Sequence, residues 1–272
     1  MTANLQGLYS LPKTPRFPVL FVGHGSPMNA LEDNVFTQAW AQTARNLPRP
    51  QAILCISAHW MTEGVAVTAM PQPKTIHDFG GFPEALFQVQ YPAPGSPDLA
   101  HTVKTTLQTN TPVVLDHEHW GLDHGCWSVL CKMYPDASIP VVQLSLDVQR
   151  SFAQHRELGT LLQPLRERGV LIVASGNMVH NLGRLDWYSP LGGYDWADEA
   201  NEGFKKALLQ RDTALLDRLP DATSAFRLAV PTPDHYWPLL YAAGLQRPDE
   251  NLQFFNDRVV MGSISMTSVL IG

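Results

Sequence analysis

"VLFVGHGSPMNALEDN", residues 19–34, is the stretch on which the fold turns. An apolar run, 19–22, breaks into Gly23-His24-Gly25-Ser26-Pro27. The pattern predicts a buried strand that ends in a tight turn, with a histidine held between two glycines. Such a turn admits three readings: an incidental histidine, a serine nucleophile or a metal ligand. The serine reading is poor. A nucleophile elbow needs Gly-x-Ser-x-Gly, whereas Ser26 is followed by Pro27 and Met28, and His24 is too near to act as a separately oriented base. Capping of the next turn suits Ser26 better.

The same apolar-run-then-turn pattern recurs along the chain. Strands are expected at 18–23, 52–57, 65–70, 112–116, 140–146 and 170–175, with 252–256 and 259–271 in the tail. Their near-continuous hydrophobicity is that of strands covered on both faces. Helices are expected in 33–47, where Phe36, Ala39, Trp40 and Leu47 share a face, and in 95–109, opened by Ser96 and Pro97. A stripe of Phe152, His155, Leu158, Leu162 and Leu165 predicts another in 151–169, with a kink at Pro164 and a stop at Gly169. Segments 195–211 and 234–245 complete the set. The expected architecture is α/β: a single domain over 1–272 with a largely buried central sheet flanked by helices, preceded by an extended N-terminal segment, 1–17.

Composition narrows the function. The net charge is −6 and no run of Lys or Arg occurs, so nucleic acid is not an expected partner. Three cysteines without a Cys-x-x-Cys pair argue for a reducing compartment, with Cys55 as a small core residue. Neither a signal peptide nor an apolar stretch of about 18 residues is present, so the expected location is cytoplasmic, without a membrane partner.

The histidines carry the chemistry. His24, His59 and His180 each follow a predicted strand, and in open α/β sheets the loops at the strands' carboxyl ends form the binding crevice. His124 in "WGLDHGCWSVL" and His235 in "VPTPDHYWPLL" belong with them by context. Imidazoles suit zinc, iron, copper or nickel. The separations, 35 residues from His24 to His59 and 55 from His180 to His235, exclude a finger-like structural site and fit a centre assembled from several loops. Trp60, His77, Phe79 and Tyr236 are candidates to line a substrate pocket, whereas His101, His117, His119 and His155 read as surface or structural residues.

Taken together, "GHGSPMNALEDN", "SAHWMTEGVAVTAMPQPKTIHDFGGFPEALFQVQYPAPGSP", "WGLDHGCWSVLCKMYPDASIPVVQLSLD", "ASGNMVHNL", "PTPDHYWPLLYAAG" and "MGSISMTSVLIG" resemble the 4,5-DOPA extradiol dioxygenase family, a branch of the class III extradiol dioxygenases. The resemblance runs from about Pro18 to Gly272. It implies a non-haem Fe(II) enzyme that opens a catechol ring beside its diol with O2, so that a small-molecule catechol (DOPA or a relative) and O2 are its partners. It further implies His24, His59, His180 and His235 as metal-site residues and His124 as the histidine beside oxygen and substrate. The wider superfamily uses two histidines and a carboxylate, and here His235, with Asp234 beside it, stands at the carboxylate's place. The ligand set is thus three or four histidines, or His180 is an acid/base instead of a ligand; zinc could also bind such a set. Histidine suits proton transfer near neutrality, so His180 is expected as acid/base and His124 as a hydrogen-bond donor to bound oxygen. A metal chelatase, whose "VGHGS"-like turn is similar, and a zinc-dependent hydrolase are the alternatives; a non-enzymatic metal-binding protein is a further class.

Overall fold

The structure, a computed structural model, describes residues 11–272. Of the expected extended segment 1–17, residues 1–10 lie outside the described residues, and 11–17 form neither helix nor strand. The strands are β1 (Val19–Gly23), β2 (Ala52–Thr62), β3 (Val65–Thr68), β4 (Val113–Asp116), β5 (Val141–Asp147), β6 (Val170–Gly176), β7 (Leu252–Phe255), β8 (Val259–Val260), β9 (Ile264–Ser265) and β10 (Ser268–Ile271). Eight form one sheet in the order β4-β3-β5-β2-β6-β1-β10-β7, and β8 pairs with β9 apart from it. The centre, β5-β2-β6-β1, is parallel throughout; β10 and β7 extend it antiparallel beside β1, and β3 joins β5 antiparallel on the other side.

Alternation along each central strand makes two cores. Val19, Phe21, Leu54, Ile56, Val142, Leu144 and Ile172 face one layer, with helices α3 (Pro97–Leu107), α5 (Phe152–Leu161), α7 (Asp195–Gln210) and α11 (Trp237–Leu245) packed over them. Leu20, Val22, Ile53, Cys55, Val141, Leu171 and Val173 face the other, covered by α1 (Val35–Asn46) and α4 (His124–Met133). Short helices α2 (Glu84–Phe87), α6 (Gln163–Arg166), α8 (Thr213–Leu216), α9 (Leu219–Ala222) and α10 (Ser224–Ala229) fill the connections. Burial on both faces is why these strands read as unbroken apolar runs.

The helix starts follow local chemistry. Asn34 and Thr37 form a reciprocal capping box at α1, and Ser151 and Gln154 form another at α5. Ser96 caps α3, with Pro97 at its first position. The expected helix 151–169 is two helices, because the chain breaks at Leu162 and restarts with Pro164 in the first turn of α6. Three further expectations need correction. β2 continues to Thr62, past the expected end at 57, so His59 lies on the strand where its register against β5 shifts between Ile56 and Met61. The tail 259–271 is three strands, because Met261 (φ 49°) and Gly262 (φ 76°) reverse the chain into the β8–β9 pair. Segment 124–133, not expected to be helical, is α4, started by the Asp123 side chain accepting from Cys126 N–H.

Away from the crevice, Arg166 ties together the segment before β1 and the segment between α11 and β7. It is fully buried, donates to the carbonyls of Phe17 (2.8 Å) and Leu245 (2.7 Å), and pairs through both guanidinium NH2 groups with Glu250. No helix among the described residues is long and apolar enough to cross a membrane. Replacing Arg166 by Met would leave the Phe17 carbonyl without its donor and the buried Glu250 carboxylate with only Arg16 and the Arg247 N–H. Urea denaturation is expected to show a loss of about 3–5 kcal/mol; a change under about 1 kcal/mol would mean that the pair is structurally idle.

Candidate metal centre

The pairing of β6 with its two parallel neighbours, β2 and β1, ends nearly level, with Ser57 and Val22 both opposite Ser175 and Gly23 opposite Gly176. His24 follows directly from β1. His59 leans in from the irregular end of β2, where the β2–β6 pairing has already stopped at Ser57. The chain carrying His235 lies over the end of β6, where Asn177 N–H donates to the His235 carbonyl at 2.9 Å. Gly176 is required there, since a Cβ would stand 2.2 Å from that carbonyl oxygen. Gly125 allows a similar approach of α4 to β2: a Cβ would stand 2.5 Å from Ser57 Oγ and 2.8 Å from the His59 ring.

Five imidazoles collect in this crevice. The ring centroids of His24 lie 5.1 Å from His59, 5.7 Å from His124 and 5.3 Å from His235. His59 and His124 lie 3.8 Å apart, and His180 stacks flat on His235 at 3.5 Å. Among the described residues, the donor atoms of His24, His59 and His235 all fall within 4.8 Å of one another; His180 is not in that group. His24 Nε2 and His59 Nε2 approach to 3.2 Å. Nitrogens bound at about 2.0–2.1 Å to one tetrahedral ion would be separated by about 3.3–3.4 Å, so this spacing fits a single ion.

Their hydrogen bonds prepare the lone pairs. The single hydroxyl proton of Ser175 goes to the Gly125 carbonyl at 2.5 Å, so Ser175 Oγ can only accept from His24 Nδ1, 3.0 Å away. His24 is thereby held as the Nδ1–H tautomer with Nε2 free. His235 Nδ1 is bonded to the Asp234 carboxylate in the same sense. Burial also keeps four of these imidazoles neutral. It pushes His24 and His235 well below the usual imidazole range, with repulsion from neighbouring imidazoles adding to it. Burial and then His124 take His59 down to about 3 against the pull of Asp78, and burial takes His180 to about 4 against Asp234. A metal site needs this neutral form.

A buried support stands behind the cluster. Asp123 accepts from Ser57 Oγ (2.7 Å), Cys126 N–H (3.1 Å), Trp120 Nε1 (3.3 Å) and the Gln143 amide. Burial and the neighbouring Asp78 raise its pKa. Asp78 reaches across from the loop before α2, contacting His124 and lying 3.6 Å from His59 Nδ1. Sequence reading missed Asp78, Asp123 and Ser175. Asp123 had a visible signal, an Asp directly before a helical run; Asp78, 46 residues from His124, had none.

The candidate lining residues divide. Phe79 meets the His124 ring edge-on at 5.5 Å. His77 packs among Phe79, Phe87 and Trp127 and turns Nε2 to the Val89 carbonyl, one layer behind. Tyr236 does not face the crevice: it is fully buried against Phe152 and Phe204 and donates its hydroxyl to the Leu216 carbonyl. Trp60 is likewise buried, stacked on Trp120 at 5.7 Å. Both side chains find their apolar partners inside the protein. Cys55, Cys126 and Cys131 are free thiols.

A neutral histidine cluster at the carboxyl edge of a parallel sheet defines a metal-dependent α/β enzyme. Residues 13–259 match the family model of the catalytic LigB subunit of aromatic ring-opening dioxygenase, and the chain belongs to that family. It is 50% identical over 261 residues to the 4,5-DOPA dioxygenase extradiol of Escherichia coli (strain K12), covering 94% of this chain and 95% of that one. It is 37% identical over 229 residues to the protein of the same name from Beta vulgaris, covering 82% and 85%. The crystal structure of an uncharacterized Escherichia coli K12 protein superposes with a TM-score of 0.83 at 45% identity, covering 94% of this chain and all of that one. The chain is accordingly an extradiol catechol dioxygenase, and the chelatase and hydrolase readings fall away.

Two measurements probe this geometry. Ser175→Ala frees His24 to adopt the wrong tautomer and is expected to weaken metal binding about 10–100-fold by titration calorimetry; unchanged affinity would show that the hydroxyl does not orient His24. Folded-state imidazole pKa values below 6.5 mean that the unfolded chain takes up protons the folded one refuses. Stability of the metal-free protein is therefore expected to be full above pH 6.5 and to fall as the pH drops toward about 4, by up to about 1.4 kcal/mol per pH unit for each such imidazole. Urea midpoints at pH 7 and 5 test this, and His180→Asn should flatten the slope.

Proposed function

We propose that the protein opens the ring of DOPA or a close catechol relative, with Fe(II) held by His24, His59 and His235. The observation carrying this reading is the convergence of three neutral imidazole donors within 4.8 Å of one another. The names of the relatives in Escherichia coli and Beta vulgaris add the substrate. The same all-nitrogen set suits zinc, so protein isolated without added iron is expected to carry some zinc. Bound there, the ion would ease loss of the catechol proton and bring catechol and O2 to adjacent positions.

The chain's own residues supply the remainder. His180, stacked on His235 outside the three-donor group, is the acid/base, a role that needs an imidazole not committed to the metal. His124 faces substrate and oxygen from the far side of His59. Phe79, edge-on to His124, offers an apolar wall to an aromatic ring and keeps water from it. The three unpaired thiols suit a cytoplasmic setting.

Anaerobic loading with Fe(II), followed by L-DOPA and air-saturated buffer, tests the proposal. A yellow ring-opened product and one O2 consumed per catechol are expected. Iron-loaded protein that takes up no O2 with DOPA or any member of a catechol panel would refute it.

A further inference from the structure

Asp78 grips one residue twice. Its Oδ1 accepts the main-chain N–H of His124 at 2.9 Å, and its Oδ2 faces His124 Nδ1 at 2.9 Å. The grip is built into the fold. Trp127 Nε1, from the same helix as His124, donates to the Ile76 carbonyl at 2.8 Å; Ile76 N–H donates to Leu122 O at 2.7 Å and Leu122 N–H to Lys74 O at 2.8 Å. The backbone leading into Asp78 is thus pinned to the start of α4 at three points. A carboxylate only accepts, so His124 Nδ1 must be the donor, and a neutral His124 carries no hydrogen on Nε2. With the ring neutral, that edge is an acceptor, whereas the sequence reading had it donate to bound oxygen.

We propose that Asp78 is a positioning residue of the reaction: it locks His124 in the Nδ1–H tautomer and so presents Nε2 as a hydrogen-bond acceptor to a hydroxyl of the substrate. The proposal rests on the reading of His124 as facing substrate. It assigns the loop before α2 a part in the chemistry that its distance in sequence conceals.

Asp78→Asn tests the proposal with little change in shape. The main-chain N–H of His124 keeps the amide oxygen, which turns the amide N–H2 toward Nδ1 and forces the opposite tautomer, the logic by which an Asp-to-Asn change disables a catalytic histidine elsewhere. Imidazole 15N–1H correlation spectra of the zinc-loaded, diamagnetic enzyme are expected to show His124, assigned with a His124→Gln control, as Nδ1–H in the wild type and Nε2–H in the variant. With Fe(II), kcat for DOPA is expected to fall about 100-fold while KM stays within about twofold and the metal content is unchanged. An Nε2–H signal for wild-type His124, or a variant kcat within about twofold of wild type, would overturn the proposal. So would loss of metal in the variant, since Asp78 would then serve His59 instead. Should the variant fail to fold, the wild-type tautomer alone decides. Wild-type enzyme inactive on every catechol would count against the proposed function while leaving the tautomer measurement to judge Asp78.

Discussion

One hydroxyl proton orders much of the centre. Ser175 stands at the end of β6 between two parallel neighbours, and its proton is committed to the Gly125 carbonyl. That bond fastens the first turn of α4 to the sheet and, in the same stroke, leaves Ser175 only an acceptor for His24. Helix position and histidine tautomer are therefore set by a single side chain. The arrangement is possible only because the pairing of β6 with β2 and with β1 stops nearly level, so that residues distant in the chain meet at one edge.

Burial does the rest of the preparation. Histidines in water are partly protonated near neutrality, and a proton competes directly with a metal ion. Here burial first, and then the neighbouring imidazoles, penalise charge on His24, His59 and His235. Carboxylates are admitted only where they hold a ring edge: Asp234 on His235 and Asp78 on His124. Asp123 lies deeper, its oxygens taken up by four donors that join β2, β5 and the start of α4. The cost of this arrangement is acid sensitivity, because an unfolded chain accepts protons that the crevice refuses.

Much of the frame was legible in the chain. Continuous β-branched runs marked the central strands because both sheet faces are covered, and Ser96-Pro97 marked a helix start because capping is local chemistry. Errors arose where a non-local contact decides. β2 runs on through His59 because β5 continues to pair beyond a register shift. The apolar tail breaks up at Met261 and Gly262, whose positive φ angles serve the β8–β9 reversal. Tyr236 looked like a pocket aromatic, yet it is buried in the core, where its hydroxyl donates to the Leu216 carbonyl.

By itself the sequence determined that the fold is α/β with a covered parallel centre and that histidines cluster after its strands, since periodicity and turn chemistry are written in neighbouring residues. Only the tertiary structure decided which of those histidines share a donor centre. His24, His59 and His235 meet, while His180 is set aside as a stacked neighbour. It also brought Asp78 and Ser175 against the rings and set Asp123 behind Ser57. Hydrogen bonds between residues 46, 66 and 151 positions apart have no local signature; they exist only once the strands lie side by side.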